Sequence, residues 1–231
     1  MKRILNVARL HTTVWPLIIG WPIAVLAIGF AISYTIFALI PTTDSEYNFT
    51  GAVSSMYGFA VAFYLQTVTQ TFPFALGISV TRREFFTASA VVGGLQSALL
   101  ATVVFVLSLI EAATDGFGVK LRMFGVLRYA TDSLVLQWIG LFTTMLAVAS
   151  IGLFVGVIYQ RYRVNGVLAV CIAAVVAIGG GAVVVTWQRW WPEVGRFFTE
   201  TPAVLLVGLI PLTVSVLFAA AGWAGLRHAP A

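Results

Sequence analysis

The sequence predicts an all-α, polytopic membrane protein with six transmembrane helices. Hydrophobic residues make up 60% of the 231 residues and charged ones 9%, with a mean hydropathy of +1.00. Six apolar runs are each long enough to cross ~30 Å of hydrocarbon, and none contains Asp, Glu, Lys or Arg. A charge at a helix centre costs ~2.5–3.5 kcal/mol on insertion scales, so charge-free windows of this length mark spans. The runs are continuously apolar and lack the period-two alternation of a barrel, so each is expected to satisfy its backbone as a helix. The spans fall at about 17–40, 51–76, 88–110, 136–159, 164–186 and 203–226, within one domain covering 1–231.

Loop charge orients them. Lys2, Arg3, Arg9, Arg82, Arg83, Arg161, Arg163 and Arg227 fall on one side with Glu84 as the sole acid. The other side holds Lys120, Arg122, Arg128, Arg189 and Arg196 against Asp44, Glu46, Glu111, Asp115, Asp132, Glu193 and Glu200. The positive-inside rule then puts both termini and the Arg82–Arg83 loop in the cytoplasm. The formal net charge of +5 follows from this topology, and nucleic acid is not an expected partner.

The first sixteen residues mix Ile4, Leu5, Val7, Ala8 and Leu10 with Lys2, Arg3, Asn6, Arg9 and His11. That pattern suits a short interfacial helix or a basic flank that anchors topology. The first apolar run, at 24 residues, far exceeds the ~7–15 of a cleavable signal core, so the first span is expected to stay. Between the third and fourth spans, Glu111 to Val135 again reads as interfacial, mixing Leu121, Met123, Phe124, Val126 and Leu127 with Lys120, Arg122 and Arg128. Between the fifth and sixth, Trp187, Trp190, Trp191, Phe197 and Phe198 alternate with Arg189, Glu193, Arg196 and Glu200, as expected of re-entrant or interfacial helices at the outer leaflet. These aromatics form a belt at the headgroups or handle a substrate. Cys171 is the single cysteine, so no internal disulfide can form, and the Asn48-Phe49-Thr50 sequon is short enough to be coincidence.

Polar residues are densest in the second span, with Ser54, Ser55, Tyr57, Tyr64, Gln66, Thr67, Thr69, Gln70 and Thr71. Gln66 and Gln70 are four apart, so they share a helix face and need hydrogen-bond partners or water. They either glue helices together or line a substrate pathway; Gln96 in the third span is open to the same two roles. Pro22, Pro73 and Pro211 interrupt spans and could kink them. Gly152 and Gly156 form a GxxxG, and Gly179, Gly180 and Gly181 a second small-residue stretch, for close packing within one subunit or between two.

Several chemistries are missing. The two histidines, His11 and His228, lie at the ends of the chain and no acid lies inside a span, so neither a hydrolytic constellation, a metal site nor an ion-coupling group is expected at depth. The two lysines, Lys2 and Lys120, are not preceded by glycine, which excludes a phosphate-binding loop. The chain is therefore not expected to be an enzyme on its own, and ATP, if used, must bind another chain.

One charged cluster stands in the stretch Leu76-Gly77-Ile78-Ser79-Val80-Thr81-Arg82-Arg83-Glu84-Phe85-Phe86. The run resembles the G-x-T/S-R-R-E-F sequence of many type-2 ABC exporter permeases. Six spans, cytoplasmic termini, an amphipathic start and outer helices before the last span resemble that family along nearly the whole chain. The resemblance implies the membrane subunit of an ATP-driven exporter in the bacterial cytoplasmic membrane, dimerising with an identical or related permease chain among membrane lipids. Thr81, Arg82, Arg83, Glu84, Phe85 and Phe86 would form a coupling segment docked on a separate nucleotide-binding subunit that carries ATP and Mg, with Arg161, Tyr162 and Arg163 as a second contact. Arg82 and Arg83 can bond carboxylates while Phe85 and Phe86 fill an apolar groove. The cargo would be amphipathic: a drug, a peptide antibiotic, a lipid or a glycolipid. The alternative is a non-transporting membrane anchor or sensor that binds a cytoplasmic partner through the same loop.

Overall fold

The computed structural model describes residues 15–40 and 47–227. The expected interfacial segment 1–16 lies outside them except for its last two residues, as do Asp44, Glu46 and His228. The described chain is all-α apart from one pair of two-residue strands. Helix α1 runs Trp15–Leu39, α2 Ser54–Gln66, α3 Phe72–Gly77, α4 Arg82–Ala113, α5 Leu134–Trp187, α6 Trp191–Glu200 and α7 Ile210–Arg227. Four stretches are long and apolar enough to cross a membrane, namely Ile19–Leu39, Arg82–Ala113, Leu134–Trp187 and Val204–Arg227. This is compatible with a multi-pass membrane protein.

The second expected span is not among the four because a wide π turn, Thr67–Thr71, divides it into α2 and α3, of 13 and 6 residues. Its cause is Pro73. Proline has no N–H to offer the carbonyl four residues back, and its ring crowds that carbonyl. The ladder steps out by one, and the Phe72 N–H bonds the Thr67 carbonyl. The same device recurs before Pro211, where the π turn Val204–Leu209 ends with the Ile210 N–H on the Leu205 carbonyl. Both prolines widen a helical run and neither ends it.

Two further boundaries differ from expectation. Helix α4 begins at Arg82, six residues before the expected start of the third span, so the charged triplet is its first turn and not a loop. Helix α5 takes in both the fourth and fifth expected spans. At 54 residues a straight rod would be about 80 Å long, and it departs from helical backbone at one residue, Arg163 (φ 55°, ψ −151°).

The helices are apolar on their outward faces as well as in the core, unlike those of a water-soluble bundle. Along α4 the buried positions Phe85, Ala88, Ser89, Val92, Gln96, Leu100, Val104, Ser108 and Glu111 follow helical spacing, while Val91, Leu95, Val106 and Ile110 are exposed. Several polar groups pair inside the bundle. The Tyr64 hydroxyl donates to Gln96 Oε1, Ser150 and Ser215 share a hydrogen bond of 2.9 Å, and Thr143 Oγ1 donates to the Val207 carbonyl at 2.9 Å. Gln96 thus serves as helix glue.

Helices α2 and α5 cross at Gly152 and Gly156. A Cβ at Gly152 would lie 2.8 Å from the Val61 carbonyl oxygen, and one at Gly156 2.7 Å from Val68 Cβ. The GxxxG is therefore spent on packing within the subunit. Gly152→Ile or Gly156→Ile must push the helices apart, and each is expected to cost about 1–3 kcal/mol or more. A lower thermal midpoint of the detergent-solubilised protein checks this.

Two hydrophobic clusters mark the ends of the bundle. One gathers Leu26, Met56, Leu100, Val104, Leu121, Met123, Phe124, Leu141 and Met145, the other Tyr64, Val68, Phe72, Phe85, Leu153, Val157 and Leu226. At the first end, the segment between the third and fourth expected spans, read as interfacial from its composition, folds as a cap with Leu121, Met123 and Phe124 buried. Its strand β2 (Leu121–Arg122) pairs in parallel with β1 (Asn48–Phe49), and Asn48 Nδ2 donates to the Val119 carbonyl at 2.9 Å. Gly116 (φ 75°) makes the reversal possible, since a Cβ there would lie 2.4 Å from the Leu121 nitrogen. The cap is held by the buried Glu111 carboxylate. Its Oε2 accepts from the backbone N–H groups of Met123 (2.9 Å) and Phe124 (2.7 Å), and its Oε1 from that of Gly125 (3.2 Å).

Candidate functional site

Two features of the surface need a partner that the described bundle does not supply. The first is a polar and small-residue stripe on α2. At steps of four, Ser54, Gly58, Ala62, Gln66, Gln70 and Phe74 are all exposed, while Met56, Ala60, Tyr64 and Val68 face inward. Gln66 Nε2 donates to Gln70 Oε1 at 3.2 Å, across the π turn that Pro73 imposes. One amide N–H2 and one carbonyl are matched in that pair, leaving the other amide groups to water or a ligand. Elsewhere on the exterior, the exposed faces of α1 and α4 are apolar and present Ile28, Ile32, Val91 and Leu95. In hydrocarbon, an amide without a partner costs several kcal/mol, so this face is suited to a wet or covered position.

The second feature is the basic end, where Arg82, Arg83, Arg161, Arg163 and Arg227 collect with Glu84 as the one acid among the described residues there. Contacts bring the elements together. Arg82 Nη1 donates to the Arg227 carbonyl oxygen at 2.7 Å, tying the start of α4 to the end of α7. Val157, one turn before Arg161, packs with Leu226 and against Gly225.

Within the expected coupling segment the residues divide by direction. Thr81 is the N-cap of α4. Its Oγ1 accepts from the Glu84 N–H at 3.2 Å, and Glu84 Oε2 accepts from the Thr81 N–H at 3.0 Å, a reciprocal capping box. Phe85 is buried against Phe72, with ring centroids 5.1 Å apart, and Phe86 packs on Trp223 at 5.2 Å. Arg82 caps the carbonyl end of α7, a favourable place for a cation. Arg83 is exposed, as are Arg161, Tyr162 and Arg163, with the Arg161 guanidinium 5.1 Å over the Tyr162 ring. The structure thus brings Thr81–Phe86 and Arg227 together at one end. It assigns Thr81, Arg82, Glu84 and Phe85 to internal contacts and leaves Arg83, Arg161 and Arg163 facing outward.

Sequence reasoning passed over Gly58 and Ala62, which continue the face of Ser54 and Gln66 at steps of four, and Trp223, which gave no signal. Among the described residues no group of three or more His, Cys, Asp or Glu side chains converges as a metal site would need. Comparison with protein-family models, curated proteins and solved structures finds no match to this chain.

Proposed function

We propose that the chain is the transmembrane permease subunit of an ATP-driven exporter of the type-2 ABC kind, moving an amphipathic drug, peptide antibiotic, lipid or glycolipid across the bacterial cytoplasmic membrane. The observation that carries this reading is the exposed Gln66–Gln70 pair on an otherwise apolar exterior. Amides at that depth need water or a polar ligand, and a translocation pathway between two permease subunits supplies both.

In this reading the run Ser54–Gly77 and the two parts of α5 on either side of Arg163 each cross the membrane, which makes six spans with both termini cytoplasmic. Helix α6, with Trp191, Phe197 and Phe198 exposed, lies in the outer interface. The outward-facing Arg83, Arg161 and Arg163 present donors to carboxylates on a separate ATPase subunit. Thr81, Glu84 and Phe85 shape that surface from within.

Co-expression with an affinity-tagged candidate ATPase subunit tests the assignment. The two are expected to co-purify and to transport cargo in vesicles only with ATP. Arg83→Glu with Arg161→Glu and Arg163→Glu should cut co-purification by about tenfold or more while membrane insertion is kept. Stable complex formation without transport of any amphipathic cargo would favour the anchor or sensor instead.

A further inference from the structure

At the basic end, Arg83, Phe86 and Thr87 of α4 and Trp223 and Arg227 of α7 line a cleft of about 480 Å³. Its chemistry is one-sided. Two guanidinium groups share it and none of its lining residues is a carboxylate. Thr87 offers no free hydrogen, because its Oγ1 donates to the Arg83 carbonyl at 2.8 Å. The rings of Phe86 and Trp223 form the wall, and the Arg227 guanidinium stands 5.9 Å from the Trp223 ring centroid. Arg82 already occupies the carbonyl end of α7, so the Arg227 side chain is not needed there. Two like charges beside aromatic rings are stabilised by an anion that takes two forked donors, as phosphate does.

The surroundings say where that anion comes from. Along α7, the exposed positions Val216, Ala220 and Ala224 lead in one line to Arg227; along α4, Leu95, Val91 and Ala90 lead to Arg83. Each arginine thus stands at the head of an apolar track on the outer face of a membrane-length helix. We propose that this cleft binds the phosphate group of an anionic phospholipid whose acyl chains lie along these two tracks. The rings occupy the headgroup level, where Trp is favoured, and the arginines meet the anionic surface of the leaflet. The proposal does not depend on the permease reading; both call on Arg83, so the lipid site is tested on the chain without a partner.

The purified chain, in detergent and without any partner, is titrated with phosphatidylglycerol and with phosphatidylcholine of the same acyl chains, and bound lipid is counted by native mass spectrometry. Phosphatidylglycerol is expected to be retained about tenfold more tightly. Arg83→Gln with Arg227→Gln should abolish the preference, and Arg83→Lys with Arg227→Lys should keep part of it. Arg161→Gln with Arg163→Gln, which removes equal charge at the same end but outside the cleft, should leave it intact. If the double Gln variant is not monodisperse, Arg83→Gln alone carries the test. Equal retention of the two lipids, or an equal loss in the Arg161 and Arg163 variant, overturns the proposal. Displacement of the lipid by millimolar inorganic phosphate overturns the lipid source and assigns the cleft to a free phosphate.

Discussion

Replacing Gln66 and Gln70 together with leucine is expected to lower ATP-driven transport by about tenfold to a hundredfold while leaving the thermal midpoint unchanged or raised. The magnitude follows from what a polar pathway does: a site that pairs with a cargo's polar groups and loses that pairing discriminates by orders of magnitude, whereas a changed methylene alters rates far less. The stability expectation has the opposite sign because neither side chain holds the bundle. Both are exposed, and the hydrogen bond that joins them, 3.2 Å long, links residues of the same helical run. Transport assayed in vesicles beside thermal unfolding in detergent separates the two roles open to these residues. Unchanged transport with a midpoint several degrees lower would make them helix glue and remove the main support for the permease reading.

The largest loss of stability is expected at Glu111. Its carboxylate is 1% exposed and receives three consecutive backbone N–H groups that have no other acceptor in the cap. Gly125 leaves the space for this, since a Cβ there would lie 2.8 Å from Glu111 Oε1 and 3.2 Å from Arg128 Cδ. Glu111→Ala strips all three donors of their acceptor in a site closed to water, and at ~1–3 kcal/mol for each unsatisfied group the cost is about 3–9 kcal/mol. Glu111→Gln keeps one carbonyl oxygen and should lose about half as much. A thermal midpoint within a degree or two of wild type for Glu111→Ala would mean that the cap does not depend on this anchor. Hydrogen exchange at Met123, Phe124 and Gly125 should quicken first, ahead of any change near Phe72 or Phe85.

Spacing within a helix was legible in the sequence, and long-range pairing was not. The i, i+4 relation of Gln66 and Gln70 is enough to put them on one helix face. The Thr81-x-x-Glu84 pattern ahead of an apolar run is a helix-start signature, and reading it would have placed Arg82–Phe86 on α4 with Phe85 turned inward. Charge alone reads the triplet as a loop, whereas the capping box makes it the first turn of α4. Glu111 was visible as an acid at a span's end, but its acceptors lie 12 to 14 residues onward, in a segment whose mixed composition reads equally well as a surface helix. Pro73 and Pro211 announced a disturbance, yet whether a proline kinks, ends or widens a helix depends on neighbours that hold the run together. For α5, the basic Arg161-Tyr162-Arg163 suggested a loop. A single left-handed residue suffices for the departure from helix.

The inward placement of Ser89, Gln96, Ser108 and Glu111, with Val91, Leu95, Val106 and Ile110 turned outward, has a thermodynamic consequence. A water-soluble helical bundle unfolds by wetting its apolar core, and the resulting heat-capacity increment bends its stability curve into a dome with a cold limit and a hot one. In a bilayer, the outward apolar faces would meet acyl chains before and after the helices separate, so separation would hydrate little hydrocarbon. The curve flattens, and what temperature erodes is the set of internal hydrogen bonds and close glycine contacts. For a bundle in that setting, the solvent that sets the operating range is lipid, through its thickness and lateral pressure, more than water through its structure.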